Sequence, residues 1–372
     1  MRRAALLWCL VAAACSAPSD PAGWARQAVK RNRLDEKLEA LEQVRKAPGD
    51  RKAAAPALIE VLGQHPRARA EAAVALGEIG DPALAGPLLA ALEPGATDRD
   101  TVDANRKIAA ALGALRAKEA VPKLVEMVGS PDAYTQVAAV DALGEIGDPA
   151  AVDRIVALAT DAATPPFTAK KALLALGRIG DPRASPTVLR MLFVERPGVS
   201  FFPEASFAAS LIGAPMAAPL LEVLEGRDAR LEAWARENGV VRGALYAKAA
   251  QLLGDVGDER AVPALLRKLA YQDADPGVQM FVRVFAAESL GRQRASAAAR
   301  PLADAAARER DPDVRDRYCD ALARIGDAAA IPALRSAASS GSFDLREGPL
   351  VALSRLGGEP ERTLVASARA QD

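Results

Sequence analysis

Apolar residues recur along this chain at helical spacing, and most apolar runs end in the same short sequence. The clearest example is ALGEIGDPA at residues 142–150, in which Leu143 and Ile146 continue an apolar stripe. Gly147 then offers the left-handed conformation that commonly ends a helix, while Asp148 and Pro149 suit the start of the next one. Close copies lie at residues 75–83, 175–183, 252–260 and 321–329. Each copy therefore predicts a tight turn between two helices.

A second small residue lies inside the first helix of each predicted pair. It is Gly144 in the clearest copy, and its counterparts are Gly77, Gly113, Gly177, Gly213, Gly254, Gly291, Ala323 and Ser354. Glycine inside a helix costs about 1 kcal/mol relative to alanine, so its recurrence predicts that a neighbouring helix approaches closely there. Consecutive members of the series are 31 to 41 residues apart. Helix pairs repeated at such a period indicate an α-solenoid.

These repeats resemble the HEAT-like repeats of phycobilin lyases, whose pattern has the form A-L-G-x-I-G-D-x-x-A-V-P-x-L. The sequences VPAL at residues 262–265 and IPAL at residues 331–334 match its second half. The resemblance covers about residues 33–370 and implies an all-α fold, a right-handed α-solenoid of about ten HEAT-like helix pairs. A proline also recurs early in the second helices, at Pro122, Pro186, Pro219, Pro263, Pro301 and Pro332. Since proline inside a helix would break it, the residues just before each one are predicted to form a tight turn.

The residue eight positions before the small residue is arginine in the outer repeats, namely Arg69, Arg283, Arg315 and Arg346. In many HEAT arrays such an arginine pairs with aspartates in the turns of neighbouring units. The resemblance therefore implies a ladder of ion pairs to Asp81, Asp258 and Asp327. In the middle of the chain the arginine is lost, and the residues there are Gln136, Ala169, Ala205 and Tyr246.

The regular period is also interrupted in the middle, by irregular insertions at about residues 193–206 and 227–242. Nine of the fifteen aromatic residues fall in this region. Two interpretations remain open: the large side chains fill local cores of the insertions, or they form a recognition surface, since Trp and Tyr often anchor interfaces. Phe281 and Phe285 lie four residues apart on a helix and are expected to be buried. The candidate partner-binding residues are Phe201, Phe202, Trp234 and Tyr246, of which the first three are expected to be exposed.

Charge and composition limit the chemistry. The 48 basic and 48 acidic residues cancel, so no overall field favours nucleic acid. The only histidine is His65, which excludes metal sites built on several histidines. Deoxyhypusine hydroxylases are HEAT-like enzymes that use several His-Glu pairs, and this chain has none. Cys319 lies alone in a late repeat and is expected to be a small buried apolar residue. We therefore expect no metal, no cofactor and no enzymatic activity.

The N-terminus resembles a bacterial lipoprotein signal peptide. Two arginines precede an apolar run over residues 4–14, which is too short to span a bilayer as a lasting anchor. Small residues then precede Cys15, and Ser16 follows it. The resemblance implies that residues 1–15 carry the signal and that Cys15 becomes the lipidated, palmitate-bearing first residue. An ordinary secretory signal cleaved near Ala17 is the alternative.

These observations predict a tether at residues 16–32 and a repeat solenoid over 33–370. The resemblance places the protein in the bacterial cell envelope, lipid-anchored at the outer membrane and facing the periplasm. The expected function is a membrane-tethered, non-enzymatic scaffold that binds a protein or peptide partner. One alternative is a tetrapyrrole (bilin) lyase-like enzyme. A nucleic-acid-binding HEAT-like protein, as in some alkylpurine glycosylases, is a third possibility that zero net charge and export disfavour.

Overall fold

The computed structural model describes residues 17–339, 343–358, 362 and 366. Residues 1–15 with Cys15, the predicted signal, therefore lie outside the described residues. The chain divides into two compact units, Met1–Ile179 and Gly180–Asp372. In the described part, 21 α-helices alternate with short 3-10 turns, and the only strands form one two-stranded ribbon. The predicted all-α fold of HEAT-like helix pairs is confirmed.

The first unit alternates long and short helices. The long helices from α2 onward pack side by side in sequence order, and each short helix packs against the long helix that follows it. The helices of this unit are α1 Pro21–Lys30, α2 Leu34–Lys46, α3 Ala55–Leu62, α4 Pro66–Ile79, α5 Ala85–Ala90, α6 Arg99–Ala114, α7 Val121–Met127, α8 Ala133–Ile146, α9 Val152–Thr160 and α10 Pro166–Ile179.

The second unit has the same alternation with additions at its start. The strands β1 Glu195–Arg196 and β2 Val199–Ser200 pair antiparallel within the first predicted insertion, and an extra helix fills the second. The helices are α11 Ser185–Met191, α12 Phe202–Ile212, α13 Ala217–Leu224, α14 Ala229–Glu237, α15 Arg242–Val256, α16 Val262–Lys268, α17 Pro276–Arg292, α18 Ala299–Arg308, α19 Pro312–Ile325, α20 Ile331–Ala338 and α21 Phe343–Leu356. The long helices α15, α17, α19 and α21 pack consecutively.

The turns follow the sequence pattern. Gly147 ends α8 with φ 72°, and the Asp148 carboxylate accepts a hydrogen bond from the Ala150 backbone N–H at 2.8 Å. A 3-10 turn follows over Pro149–Ala151 before α9 begins. Such 3-10 turns also precede all six of the recurring prolines, which then occupy one of the first three positions of their helices. Both turn predictions are confirmed.

Close helix approach is also confirmed at Gly77, Gly113, Gly144, Gly254 and Gly291. The prediction was wrong for Gly213, which follows the end of α12 with φ 70° and contacts no neighbouring helix. A methyl group placed on Gly113 of α6 would lie 2.8 Å from the Cα atom of Ala142 on α8. In the second unit, a methyl group on Gly291 of α17 would lie 2.9 Å from the Cα atom of Ala321 on α19. Real Cβ atoms do not come this close to a backbone atom, so these two contacts need glycine.

The predicted tether is shorter than expected, because helix α1 occupies Pro21–Lys30. Its Ala25 and Ala28 side chains are fully buried. Lys37 of α2 donates hydrogen bonds to the backbone oxygens of Ala28 at 3.0 Å and Val29 at 3.2 Å, which satisfies carbonyl groups at the end of α1. The prediction missed α1 because its apolar residues are mostly alanines.

The predicted ladder of ion pairs was wrong. Asp81, Asp258 and Asp327 each cap a 3-10 turn through their side chains. The arginines reach backbone oxygens near the end of the preceding short helix instead. The acceptors are Leu62 O for Arg69 at 2.8 Å, Tyr271 O for Arg283 at 2.7 Å and Ala307 O for Arg315 at 3.1 Å.

Uncharged side chains at the same position also donate hydrogen bonds to backbone oxygens in the middle of the first unit. Asn105 donates to Glu93 O at 2.6 Å, and Gln136 donates to Ser130 O at 2.9 Å. In these five repeats the position eight before the small residue therefore caps the preceding repeat, whether or not its side chain is charged.

Within the described part of the chain, no single helix has both the length and the apolar composition needed to cross a membrane. The segments Phe202–Ile212 and Ala214–Leu224 have that length and apolar composition only when taken together, and they are bent by 111° relative to each other.

Candidate functional site

The long helices present a stripe of mostly part-exposed side chains, although Ala70 and Ala247 within it are buried. The stripe comprises the positions ten, seven, six and three residues before the small residue. Such spacing places them on one face of a helix. On α17 the stripe is Phe281, Val284, Phe285 and Glu288. Two grooves of the second unit lie on either side of this stripe.

An apolar groove lies between α15 and α17, and α12 contributes to one wall. Its volume is about 300 Å³, at the small end of the range for ligand pockets. Phe281 and Phe285 stack with their ring centroids 6.1 Å apart. Phe281 is 51% exposed, which is unusual for a ring of this size. The lining residues are Phe202, Gly243, Ala244, Ala247, Lys248, Gln251, Val278, Phe281 and Phe285.

Lys248 of α15 fixes the wall of the apolar groove. Its Nζ atom donates a hydrogen bond to Leu192 O at 2.7 Å, just beyond the end of α11. The same atom lies 4.5 Å from the ring centroid of Phe202 and 4.9 Å from that of Phe193, within cation–π range. Burial lowers the pKa of Lys248, and the charge of Glu195 opposes that shift. Lys248 thereby holds the first insertion against α15.

An acidic groove lies on the other side of the stripe, between α17 and α19. Its volume is about 710 Å³. Glu288 lies 3.3 Å from Arg292 and 3.7 Å from Arg317, and Asp320 lies 3.3 Å from Arg355. The residues that line it are Met280, Phe281, Val284, Phe285, Glu288, Asp313, Val314, Asp316, Arg317 and Asp320. Four carboxylates therefore share the lining with one arginine.

Asp316 is the least compensated carboxylate in the acidic groove. Its Oδ1 atom is buried beside Gly348 of α21 and makes no hydrogen bond of good geometry among the described residues. Burial, followed by the charges of Glu347, Asp320 and Asp313, raises the pKa of Asp316, and the Gly348 backbone N–H opposes that shift. A cation placed in this groove would offset both effects.

Of the predicted partner-binding residues, Phe202 alone lines the apolar groove. Phe201 is fully buried, contrary to its expected exposure, and Arg196 of β1 lies 5.1 Å from its ring centroid. Tyr246 is also buried, and Trp234 on α14 is half-buried. For Phe201 and Tyr246, the interpretation that large side chains fill a local core therefore fits better. The expected burial of Phe281 and Phe285 was wrong, since half of Phe281 is exposed and Phe285 is only half-buried.

Tyr246 belongs to a separate aromatic cluster. It meets Tyr271 edge to face with the ring centroids 5.7 Å apart. Lys268 Nζ lies 3.3 Å from the Tyr246 centroid and 5.4 Å from the Tyr271 centroid. Burial, with the charges of Arg267 and Arg242, lowers the pKa of Lys268 to about 8. The Tyr271 hydroxyl donates a hydrogen bond to Asp273 at 2.6 Å, and burial and this bond raise the pKa of Tyr271.

Two signals in the sequence could have located the grooves. First, six of the eight residues of α17 from Val278 to Phe285 are large and apolar, more than a single core-facing stripe can bury. Second, the position ten before the small residue is aromatic in three repeats. Tyr134 and Phe167 of the first unit and Phe281 of the second hold it, and they are 71%, 60% and 51% exposed.

The residues first considered for metal or redox chemistry have structural roles. His65 caps α4, its Nδ1 atom accepting a hydrogen bond from the Arg67 backbone N–H at 3.2 Å. The expected burial of Cys319 is confirmed, and burial raises the pKa of its thiol to about 12. In residues 17–339 and 343–358, no three His, Cys, Asp or Glu side chains are grouped as a metal site.

Solved structures similar to this chain include human deoxyhypusine hydroxylase in complex with glycerol, at 20% identity over 76% of this chain and 96% of that one, with a TM-score of 0.30. The complex of CpcE and CpcF of phycocyanin lyase from Nostoc sp. PCC7120 is 20% identical over 84% and 96%, with a TM-score of 0.32. A chain of the Kap95:Nup1 complex is 12% identical over 94% and 58%, with a TM-score of 0.52. This last likeness supports the fold alone.

Among curated proteins, the chain has no match. A family model described as PBS lyase HEAT-like repeat matches residues 68–94. A model described as HEAT repeats matches residues 89–169, 130–200, 242–317 and 299–372. These last ranges together span more than half of the chain, which therefore belongs to the HEAT repeat family.

Proposed function

We propose that this HEAT repeat scaffold is a non-enzymatic protein that binds a protein or peptide partner at the bacterial envelope. The observation that carries the proposal is the exposed stripe of α17, where Phe281 and Phe285 separate an apolar groove from an acidic one. Exposed aromatic residues beside a groove commonly anchor protein interfaces. The Kap95:Nup1 complex, in which a repeat protein of this fold meets a protein partner, supports the same class of function.

A photo-crosslinking amino acid at Phe281 tests the proposal in cells that make the full chain. The matched control carries the same amino acid at Arg300, an exposed position of the short helix α18. We expect discrete crosslinked species from position 281 and not from position 300. Equal crosslinking from both positions, or none from either, would refute a partner-binding role for this face.

Membrane tethering forms part of the proposal and rests on the sequence around Cys15. Lipidation of that cysteine, with more than one acyl chain, would anchor the protein stably, whereas a single chain binds only marginally. Because α1 begins at Pro21, only residues 16–20 would separate the lipid from the first helix. We expect Cys15→Ser to shift the protein from the membrane fraction to the soluble fraction. A variant that stays membrane-bound after a carbonate wash would contradict the lipid anchor.

A bilin lyase-like activity is the second candidate, and the match of residues 68–94 to a PBS lyase HEAT-like repeat favours it. Adding phycocyanobilin to the purified protein tests this candidate. A red-shifted, saturable absorbance change that transfers to an apo-phycobiliprotein would support the lyase. An unchanged bilin spectrum would leave the scaffold as the better account.

A further inference from the structure

The apolar and acidic grooves share one wall. Phe281, Val284 and Phe285 of α17 separate them, and both Phe281 and Phe285 line both grooves. A single ligand that crosses α17 would therefore contact an apolar surface on one side and carboxylates on the other. Neighbouring packed helices are about 8–10 Å apart, a distance that about three residues of extended chain span.

The charged side chains around the two grooves favour a positively charged ligand. Glu288, Asp313, Asp316 and Asp320 line the acidic groove, against Arg317 alone. Glu288 and Asp320 have arginine partners, which leaves Asp313 and Asp316 as the main source of negative charge. Lys248 lines only the apolar groove, where its ammonium group is directed to Leu192 O and two aromatic rings, so the acidic groove keeps its negative sign.

We propose that the two grooves together bind an extended, cationic segment of a partner protein across α17. One apolar side chain of the segment lies in the groove between α15 and α17. A lysine or arginine about three residues away lies in the groove between α17 and α19, against Asp313 and Asp316. This inference rests on the proposed function and specifies its partner by chemistry.

Alternative ligands fit these surfaces less well. Nucleic acid would meet repulsion from the carboxylates, and an acidic peptide would meet the same repulsion. A lone metal ion would leave the apolar groove unused, and no three His, Cys, Asp or Glu side chains within the described ranges are grouped to hold one. A segment that is both apolar and basic uses both grooves at once.

A library of nine-residue peptides, displayed on phage and selected on the immobilised full chain, tests the inference. We expect the selected peptides to carry an apolar residue and a Lys or Arg about three positions apart. The best peptide is then synthesised with a fluorescent label, and its affinity is measured by anisotropy at low and high salt. Because exposed ion pairs are screened, we expect tighter binding at low salt.

Two variants and two matched controls assign the contacts. Phe281→Ala should weaken the peptide about tenfold, as truncation of an interface anchor does, and the double variant Asp313→Asn with Asp316→Asn should remove the salt dependence. The controls are Phe207→Ala, another exposed phenylalanine, and Asp304→Asn, an exposed carboxylate on α18. Neither control should change the affinity. Circular dichroism checks that each variant is folded.

The outcomes separate this inference from the scaffold proposal. Selection of acidic or neutral peptides, with binding weakened by Phe281→Ala but unchanged by the double aspartate variant, would overturn the cationic ligand and leave the scaffold intact. A concentration-dependent dimer that Phe281→Ala abolishes would show a second copy as the occupant and would also overturn the inference. If no peptide is selected while crosslinks still form at position 281, the extended cationic segment is wrong but partner binding stands.

Discussion

Replacing Gly113 by alanine tests the close packing of long helices on which the fold depends. The added methyl group would lie 2.8 Å from Cα and 3.1 Å from Cβ of Ala142. Neither atom can move by rotation of a side chain, so α6 and α8 must separate. Overpacking of this kind costs about 1–3 kcal/mol. The exchange of glycine for alanine inside a helix returns up to about 1 kcal/mol, which leaves a net loss of about 1 kcal/mol.

Gly63, just after the end of α3, supplies the matched control. A methyl group placed there would meet only Glu60 O, at an ordinary 3.7 Å, and its φ of −81° and ψ of 0° suit alanine. Gly63→Ala should therefore raise the free energy of unfolding by about 0.4–1 kcal/mol. The two substitutions make the same chemical change in the same unit, yet they should act in opposite directions.

Urea unfolding followed by circular dichroism measures both variants, and hydrogen exchange of the α6 and α8 amides localises the effect. Since repeat arrays need not unfold in one step, the comparison uses the order of the midpoints as well as fitted free energies. A Gly113→Ala protein as stable as the Gly63→Ala protein, with unchanged exchange in α6 and α8, would refute the reasoning.

Three further predictions concern single side chains of the second unit. Arg315→Met removes hydrogen bonds to Leu345 O at 2.7 Å and Ala307 O at 3.1 Å, so urea unfolding should show a loss of about 2–3 kcal/mol, whereas exposed Arg324→Met should change little. Between pH 8 and 10.5 the unfolded chain holds the Lys268 proton more tightly than the folded one, so stability should rise with pH in this range. Parallel pH curves for wild type and Lys268→Met would contradict that assignment. The buried Cys319 thiol has a pKa of about 12, so its reaction with Ellman's reagent at pH 8 should be slow and should accelerate with urea as the unit opens; rapid labelling of the folded protein would show that Cys319 is accessible.

The sequence was sufficient to predict the repeated helix pairs, because the residues that form each turn and the residues that pack the helices recur together. Gly147 ends the first helix of a pair with a positive φ, and Asp148 caps the 3-10 turn that leads to the second helix. The spacing of the small residues then identifies which helices touch, as the contact between Gly113 and Ala142 shows. Each of these features depends on residues within about 35 positions of one another, which the period of the sequence makes visible.

The partners of polar side chains were harder to predict. Arg69 and Arg315 have turn aspartates in neighbouring repeats, and an ion pair was the simpler expectation. The structure instead directs both guanidinium groups to backbone oxygens that the preceding helix leaves without partners. The pattern of residue types does not show whether an arginine will bind a backbone carbonyl or a carboxylate when it can reach both.

The predictions of which aromatic residues are buried were wrong for a related reason. Phe201 lies in an irregular stretch, which suggested exposure, yet it is fully buried and Arg196 of β1 lies 5.1 Å from its ring centroid. Phe281 lies in a regular helix, which suggested burial, yet it occupies the exposed stripe. The period of the small residue contains this information, since it assigns Phe281 the same position as Tyr134 and Phe167.

The exposed stripe has a consequence for how this protein can change. On α17, the side chains ten, seven, six and three positions before Gly291 are all at least partly exposed, so they can be exchanged with less effect on folding than the buried residues of that helix. The residues proposed to contact a partner are thus different from those that stabilise the fold, although both recur in the same repeat. A library that randomises only these four positions on α17 should yield folded proteins with new ligand preferences.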